Sequence, residues 1–134
     1  MDDCLFCKIV AEEIPSHKIY EDEKFLAFLD INPINKGHIL VIPKKHSRNI
    51  LEMKDSLSGE LMILVKKLAT HIKNKLNADG INITINNEAD AGQIIFHTHI
   101  HIIPRFKNDG FKHWNGIAYP KGEAEKIQSI LKLN

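Results

Sequence analysis

Residues 94–104 read IIFHTHIHIIP, and the alternation of histidine with other residues from His97 to His101 is the pattern on which the fold turns. A period of two is that of a β-strand, so Ile94 to Pro104 is expected as a strand with His97, His99 and His101 on one face. Thr98, Ile100 and Ile102 then point the other way and carry the packing, which leaves the histidine face for chemistry. Three imidazoles so close cannot all be protonated without like-charge cost, so at least one is neutral near pH 7. Three readings follow: solvated surface histidines, a metal site, or a nucleophile flanked by hydrogen-bonding imidazoles. The strand offers no carboxylate to complete a metal site, and the third reading uses the register best.

Outward from that strand, Ile81 to Ile85 (INITI) alternates as a half-buried strand does, and Asn86 to Gln93 (NNEADAGQ) reads as a polar loop. Leu57, Leu61, Leu64, Val65, Leu68, Ile72 and Leu76 recur at three and four, which predicts a long amphipathic helix. Ser56 or Ser58 is the expected cap at its start, and Gly80 the expected left-handed residue past its end. Further upstream, His38 to Pro43 (HILVIP) reads as a buried strand. Ile14 to Glu21, a turn at Asp22 to Lys24, and Phe25 to Leu29 together read as a hairpin. A last helix is expected from about Pro120, with Ala124, Ile127, Ile130 and Leu131 on one face. Strands grouped around one long helix by short turns predict an α+β fold in one domain, residues 1–134.

Lys and Arg number 18 against 17 for Asp and Glu, a net charge of +1, so general nucleic-acid or anionic-membrane binding is excluded as the main function. No apolar run approaches the ~20 residues of a spanning helix, and the acidic start, Met1 to Asp3, does not resemble a secretory signal. A cytoplasmic location without membrane or nucleic-acid partners is expected. Cys4 and Cys7 form a CxxC too small to staple a secreted fold. A redox role would need a helix starting at the motif in a βαβ setting, which the local sequence does not suggest, so a metal role is preferred over redox chemistry, with two unmetallated thiols as the remaining reading.

CLFCKIVAEEIPSHKIYED at 4–22, FLAFLDINPINKGHILVIPKKH at 25–46 and AGQIIFHTHIHIIPRF at 91–106 together resemble the histidine-triad (HIT) family, in the branch of the histidine-triad nucleotide-binding proteins. The resemblance spans nearly the whole chain. It implies a five-stranded antiparallel sheet with two helices, joined to a second copy in a homodimer. It also implies an enzyme, a nucleoside phosphoramidase-like purine nucleotide hydrolase acting at an α-phosphate. His99 would form a nucleotidyl-histidine that water then resolves to a nucleoside monophosphate. His101 would serve the phosphate and leaving group, with His38 as a fourth histidine of the same relay. Asp30 would accept the ribose hydroxyls, Asn86 and Gln93 would meet the phosphate, and Phe6, Ile9, Phe28 and Ile31 would wall the purine pocket. Zinc, one per chain, would be structural and held by Cys4, Cys7, His46 and His97.

Read without the resemblance, Asp30 is preferred as a turn residue and His38 as a strand-end histidine, while the four pocket residues could equally be core. Two positions depart from the family pattern: Thr98, expected to matter little because it faces away from the triad, and Ile94, where some members carry a serine on the phosphate. The alternatives carried forward are a dinucleoside polyphosphate hydrolase and a nucleotide-binding or partner-binding module with little turnover. Met62 and Ile63 lie off the main helix stripe and, with Ile81 to Ile85, mark the expected dimer face; Trp114 lies in a tail whose role is open.

Overall fold

A computed structural model describes residues 3–134; Met1 and Asp2, part of the acidic start, lie outside the described residues. The elements in chain order are α1 (Leu5–Val10), β1 (Lys18–Glu21), β2 (Phe25–Leu29), β3 (Ile39–Pro43), α2 (Asp55–Leu76), β4 (Gly80–Thr84), β5 (Ile100–Arg105) and α3 (Glu123–Leu131). The five strands form one sheet in the order β1-β2-β3-β5-β4, antiparallel throughout. The predicted hairpin is β1–β2, closed by Asp22, whose Oδ1 accepts from the backbone N–H of Lys24 and Phe25 at 2.8 and 2.7 Å.

Alternation sorts the sheet into two faces. Phe25, Ala27, Ile39, Val41, Ile100 and Ile102 meet the stripe Leu61, Leu64, Val65, Leu68 and Ile72 of α2. Each such side chain taken fully out of water contributes ~1.5–3 kcal/mol, so this face holds the fold. Leu26, Phe28, Leu40 and Ile42 point the other way and are covered by Phe6 and Ile9 of the six-residue α1, with Cys4, Val10, Ile14 and Ile95 packed at the margin. The thin cover leaves room for a cavity over His99 and His101.

Four expectations are corrected. The helices number three, because α1 begins directly after Cys4. The sheet strand starts at Ile100; residues 94–99 lie outside it, with a bend at 95–97, since β4 pairing ends at the Thr84–His101 pair. The end of α2 is set by Asn77 in left-handed geometry (φ 51°), while Gly80 opens β4. Asparagine tolerates that region nearly as well as glycine. Neither serine caps the start of α2, where Lys54 is the cap residue and Ser58 instead bonds back to the Lys54 carbonyl.

Candidate active site and metal cluster

A cavity of about 490 Å³ opens on the α1 side of the sheet. Its polar lining is His99, His101, Asp30 and Asn86, among others, and its apolar lining includes Leu5, Phe6, Ile9, Ile14, Phe28 and Ile31. Phe6 packs edge-on against the His99 ring, 5.1 Å between centroids. The histidine face is therefore roofed: His97 and His99 are buried and only His101 is partly exposed.

Backbone groups fix the imidazole tautomers. His99 Nδ1 lies 2.8 Å from the His97 carbonyl, so it carries the proton and Nε2 holds a free lone pair. The backbone N–H of Ile34 donates to His38 Nδ1 at 3.0 Å, so His38 is protonated on Nε2. That Nε2–H donates to His101 Nδ1 at 2.9 Å, which leaves the proton of His101 on its own Nε2. Asp30 Oδ2 stands 3.6 Å from His38 Nε2, and its other oxygen accepts the Asn32 N–H. Burial lowers the pKa of His38, His99 and His101, that of His101 to about 4 with help from its histidine neighbours. All three are neutral at pH 7, which keeps the His99 lone pair available. Asp30, His38 and His101 are also close enough to hold a cation. The Ile34 N–H, however, keeps the proton on His38 Nε2 and makes the trio a hydrogen-bond relay rather than a ligand set.

The opposite tie operates at the other end of the triad. His97 Nε2–H donates to the Pro43 carbonyl at 2.7 Å, which turns its Nδ1 lone pair toward Cys4 Sγ at 3.4 Å and Cys7 Sγ at 3.5 Å. His46 Nδ1 lies 3.2 Å from His97 Nδ1 and 3.4 Å from Cys7 Sγ. These edges match a tetrahedron with nitrogen bonds of ~2.0–2.1 Å and sulfur bonds of ~2.3 Å, and the Pro43 carbonyl is the second-shell acceptor that metal-bound imidazoles use. Cys4, Cys7, His46 and His97 can thus hold a metal ion. Burial, with Cys4 beside it, pushes the Cys7 thiol up to about 11. That is the reverse of a redox-active thiol, and a cation between the sulfurs would favour the thiolates instead. A helix does start at the CxxC, contrary to expectation, but no strand precedes it among the described residues.

The family profile for the HIT domain matches residues 11–108. The chain belongs to the HIT family. An uncharacterized HIT-like protein of Borreliella burgdorferi is 53% identical over 139 residues, covering 100% of this chain and 99% of the relative. The adenylylsulfatase HINT3 of Arabidopsis thaliana is 44% identical over 81% of this chain and 55% of its own length. A Streptococcus mutans structure superposes with a TM-score of 0.88 at 48% identity, over 98% of this chain and 87% of that one. A Zn-bound histidine triad protein of Mycobacterium smegmatis gives 0.79 at 37% identity, over 86% and 84%. A histidine triad nucleotide-binding protein of Candida albicans gives 0.85 at 34%, over 97% and 95%. Among the described residues of this HIT protein, no helix is long and apolar enough to cross a membrane.

Most of the expected HIT residues converge on the cavity or the cluster; Gln93 does not. Its amide donates to the Arg48 and Ile95 carbonyls and accepts from Asn49 Nδ2 and the Glu88 N–H, so no donor remains for a phosphate. It braces the loop instead, while Asn86 and Ile94 reach the cavity. Sequence reasoning missed the partners of that brace: buried Asn49 and the Arg48–Glu88 ion pair at 2.7 Å. Glu88 sits at φ 77°, a conformation that costs a few kcal/mol in a non-glycine residue and is held here by those contacts. Asn35 was missed too; it donates to the Pro104 carbonyl and to Asp109, tying the Asp30–His38 turn to β5. An Asn or Gln gives no sequence signal of which backbone it will serve.

Proposed function

We propose that this HIT protein is a purine nucleotide hydrolase acting at an α-phosphate, with His99 as nucleophile. The observation that carries the reading is the His99 tautomer: Nδ1 is tied to the His97 carbonyl, and the free Nε2 belongs to a ring that lines the cavity. His99 Nε2 attacks phosphorus, and the P–N bond to His99 forms as the bond to the leaving group breaks; His101 Nε2–H donates a hydrogen bond to that group, which leaves with a proton taken from water at the cavity mouth. Water then attacks phosphorus, the bond to His99 breaks, and the attacking water's proton passes back to solvent, leaving His99 neutral. The His38 Nε2–H on His101 Nδ1 holds the ring in the donating tautomer through both steps. Asp30 accepts from the ribose hydroxyls, Asn86 donates to the phosphate, and the apolar wall of Phe6, Ile9, Phe28 and Ile31 takes the base.

The preferred leaving group is an amine, as in a nucleoside phosphoramidate. The Arabidopsis relative, an adenylylsulfatase, adds sulfate to the groups worth testing. Zinc is the proposed ion at Cys4, Cys7, His46 and His97, supported by the cluster edges and the Zn-bound neighbour. It would pin α1 against the triad and take no part in the reaction. The unpaired edge of β4 and the exposed Met62, Ile63 and Ile83 support a homodimer. Two unbridged cysteines suit a reducing cytoplasm, and residues 1–134 are read as one HIT unit.

Turnover of adenosine and guanosine phosphoramidate, adenylylsulfate and diadenosine tetraphosphate by the pure protein tests the reading. The phosphoramidates should give the highest kcat/KM, and quenched samples should carry a nucleoside monophosphate on His99. His99→Ala should lower kcat by on the order of 10³-fold or more with binding retained. Faster turnover of the tetraphosphate would favour a dinucleoside polyphosphate hydrolase, and binding without turnover a nucleotide-binding module.

A further inference from the structure

The peptide joining His97 to Thr98 is hydrogen-bonded on both sides. Its carbonyl accepts the Nδ1–H of His99 at 2.8 Å, and its N–H donates to the Ser47 carbonyl at 2.8 Å. A peptide is planar, so turning this one away from Ser47 would also turn away the acceptor that fixes the His99 tautomer. Hydrogen bonds in series through one amide also polarise each other, so the Ser47 bond strengthens the one to His99.

The Thr98 side chain decides how firmly that peptide is held. Its Oγ1 lies 2.6 Å from Ser47 Oγ and 3.2 Å from the Ser47 carbonyl, in a residue only 1% exposed. Thr98 thus contacts Ser47 three times, once through its backbone and twice through its hydroxyl. It is absent from the cavity wall and touches none of the groups assigned to substrate. Valine would fill the same volume, so shape alone does not call for a hydroxyl here. The expectation that Thr98 matters little because it faces away from the triad overlooked the peptide on which it sits.

We infer that Ser47 and Thr98 are positioning residues for His99: their hydroxyl pair locks the 97–98 peptide and so keeps the Nε2 lone pair of His99 in place for attack. The inference rests on the reading of His99 as the nucleophile. It adds no covalent step.

The test compares Thr98→Val, Thr98→Ser and Ser47→Ala in the metal-loaded full chain with adenosine phosphoramidate. Nitrogen-15 spectra of the His99 ring in ligand-free protein form a second arm. Thr98→Val should lower kcat by ~10-fold or more, since small misplacements of a reacting group cost up to ~100-fold. KM should stay within about twofold. Thr98→Ser, which restores the hydroxyl, should recover kcat to within about threefold of wild type. Ser47→Ala keeps the carbonyl and should show a smaller loss, which serves if the valine variant fails to fold. The ring should be a single Nδ1–H tautomer in wild type and a mixture in Thr98→Val. Equal kcat for valine and wild type, or a serine variant as impaired as valine, would overturn the inference. If wild type turns over no nucleotide, the functional reading fails by itself and the ring spectra decide on the lock: an unchanged ring in Thr98→Val overturns it.

Discussion

The two ends of the histidine triad are built from the same side chain and do opposite things. At one end His97 meets Cys4, Cys7 and His46; at the other His101 meets His38 and Asp30. Burial holds both His97 and His101 neutral, each near pKa 4. The difference lies in what the backbone offers. A carbonyl, that of Pro43, takes the Nε2 proton of His97 and leaves a lone pair among thiols, a ligand geometry. An N–H, that of Ile34, occupies the Nδ1 lone pair of His38 and leaves a proton pointing at His101, a relay geometry. One backbone atom per ring separates a metal ligand from a proton donor.

The largest way to break that contrast is to remove a thiol. Cys7→Ser should strip the metal at its end and destabilise the protein by several kcal/mol, because metal binding to a site absent from the unfolded chain is folding energy. Metal content by elemental analysis and the melting temperature check it; a variant with wild-type metal would refute the ligand assignment. Removing the relay comes next. His38→Phe should keep the metal while lowering kcat by ~10²-fold, since His101 loses the partner that sets its tautomer. Kinetics paired with metal analysis would show whether the two ends are separable.

The smallest effect is on pH. His101 titrates near 4 in the folded chain and near 6.5 unfolded, so the unfolded chain binds more protons between these values. Its contribution to stability is complete above about 6.5, declines as pH falls toward 4, and is flat below. Each pKa unit corresponds to about 1.4 kcal/mol, so the drop is a few kcal/mol at most. Urea titrations from pH 7 to 4 measure it, and His101→Asn should flatten the slope; an unchanged slope would assign the decline elsewhere.

What could be read from the sequence follows the length of each pattern. The α2 stripe runs over twenty residues and the triad has a period, so both were legible. The six residues of α1 make less than two turns and carry no period, and its start is set by Cys4 accepting the Cys7 N–H. The bend before Ile100 was illegible because residues 94–99 keep the strand pattern while β4 ends opposite His101. Gln93 was placed on the phosphate from its position in the motif, yet its four hydrogen bonds go to Arg48, Asn49, Glu88 and Ile95, which no spacing announces. Asp30 and His38 were ambiguous as residues and became a site only when Ile34 and Asn32 supplied N–H donors.

The contact between Cys4 and His97 joins positions 93 residues apart. Closing so long a loop carries more chain entropy than any hairpin in the sheet. During synthesis the first two ligands therefore emerge well before the last one exists. A nascent chain ending at Thr84 holds the pieces for β1 to β4 and α2 but lacks His97, the fourth member of the cluster, and His99, the proposed nucleophile. β5 lies between β3 and β4 in the sheet, and the short stretch from His97 to His101 completes the cavity and the cluster together, so both wait on the same few residues of chain.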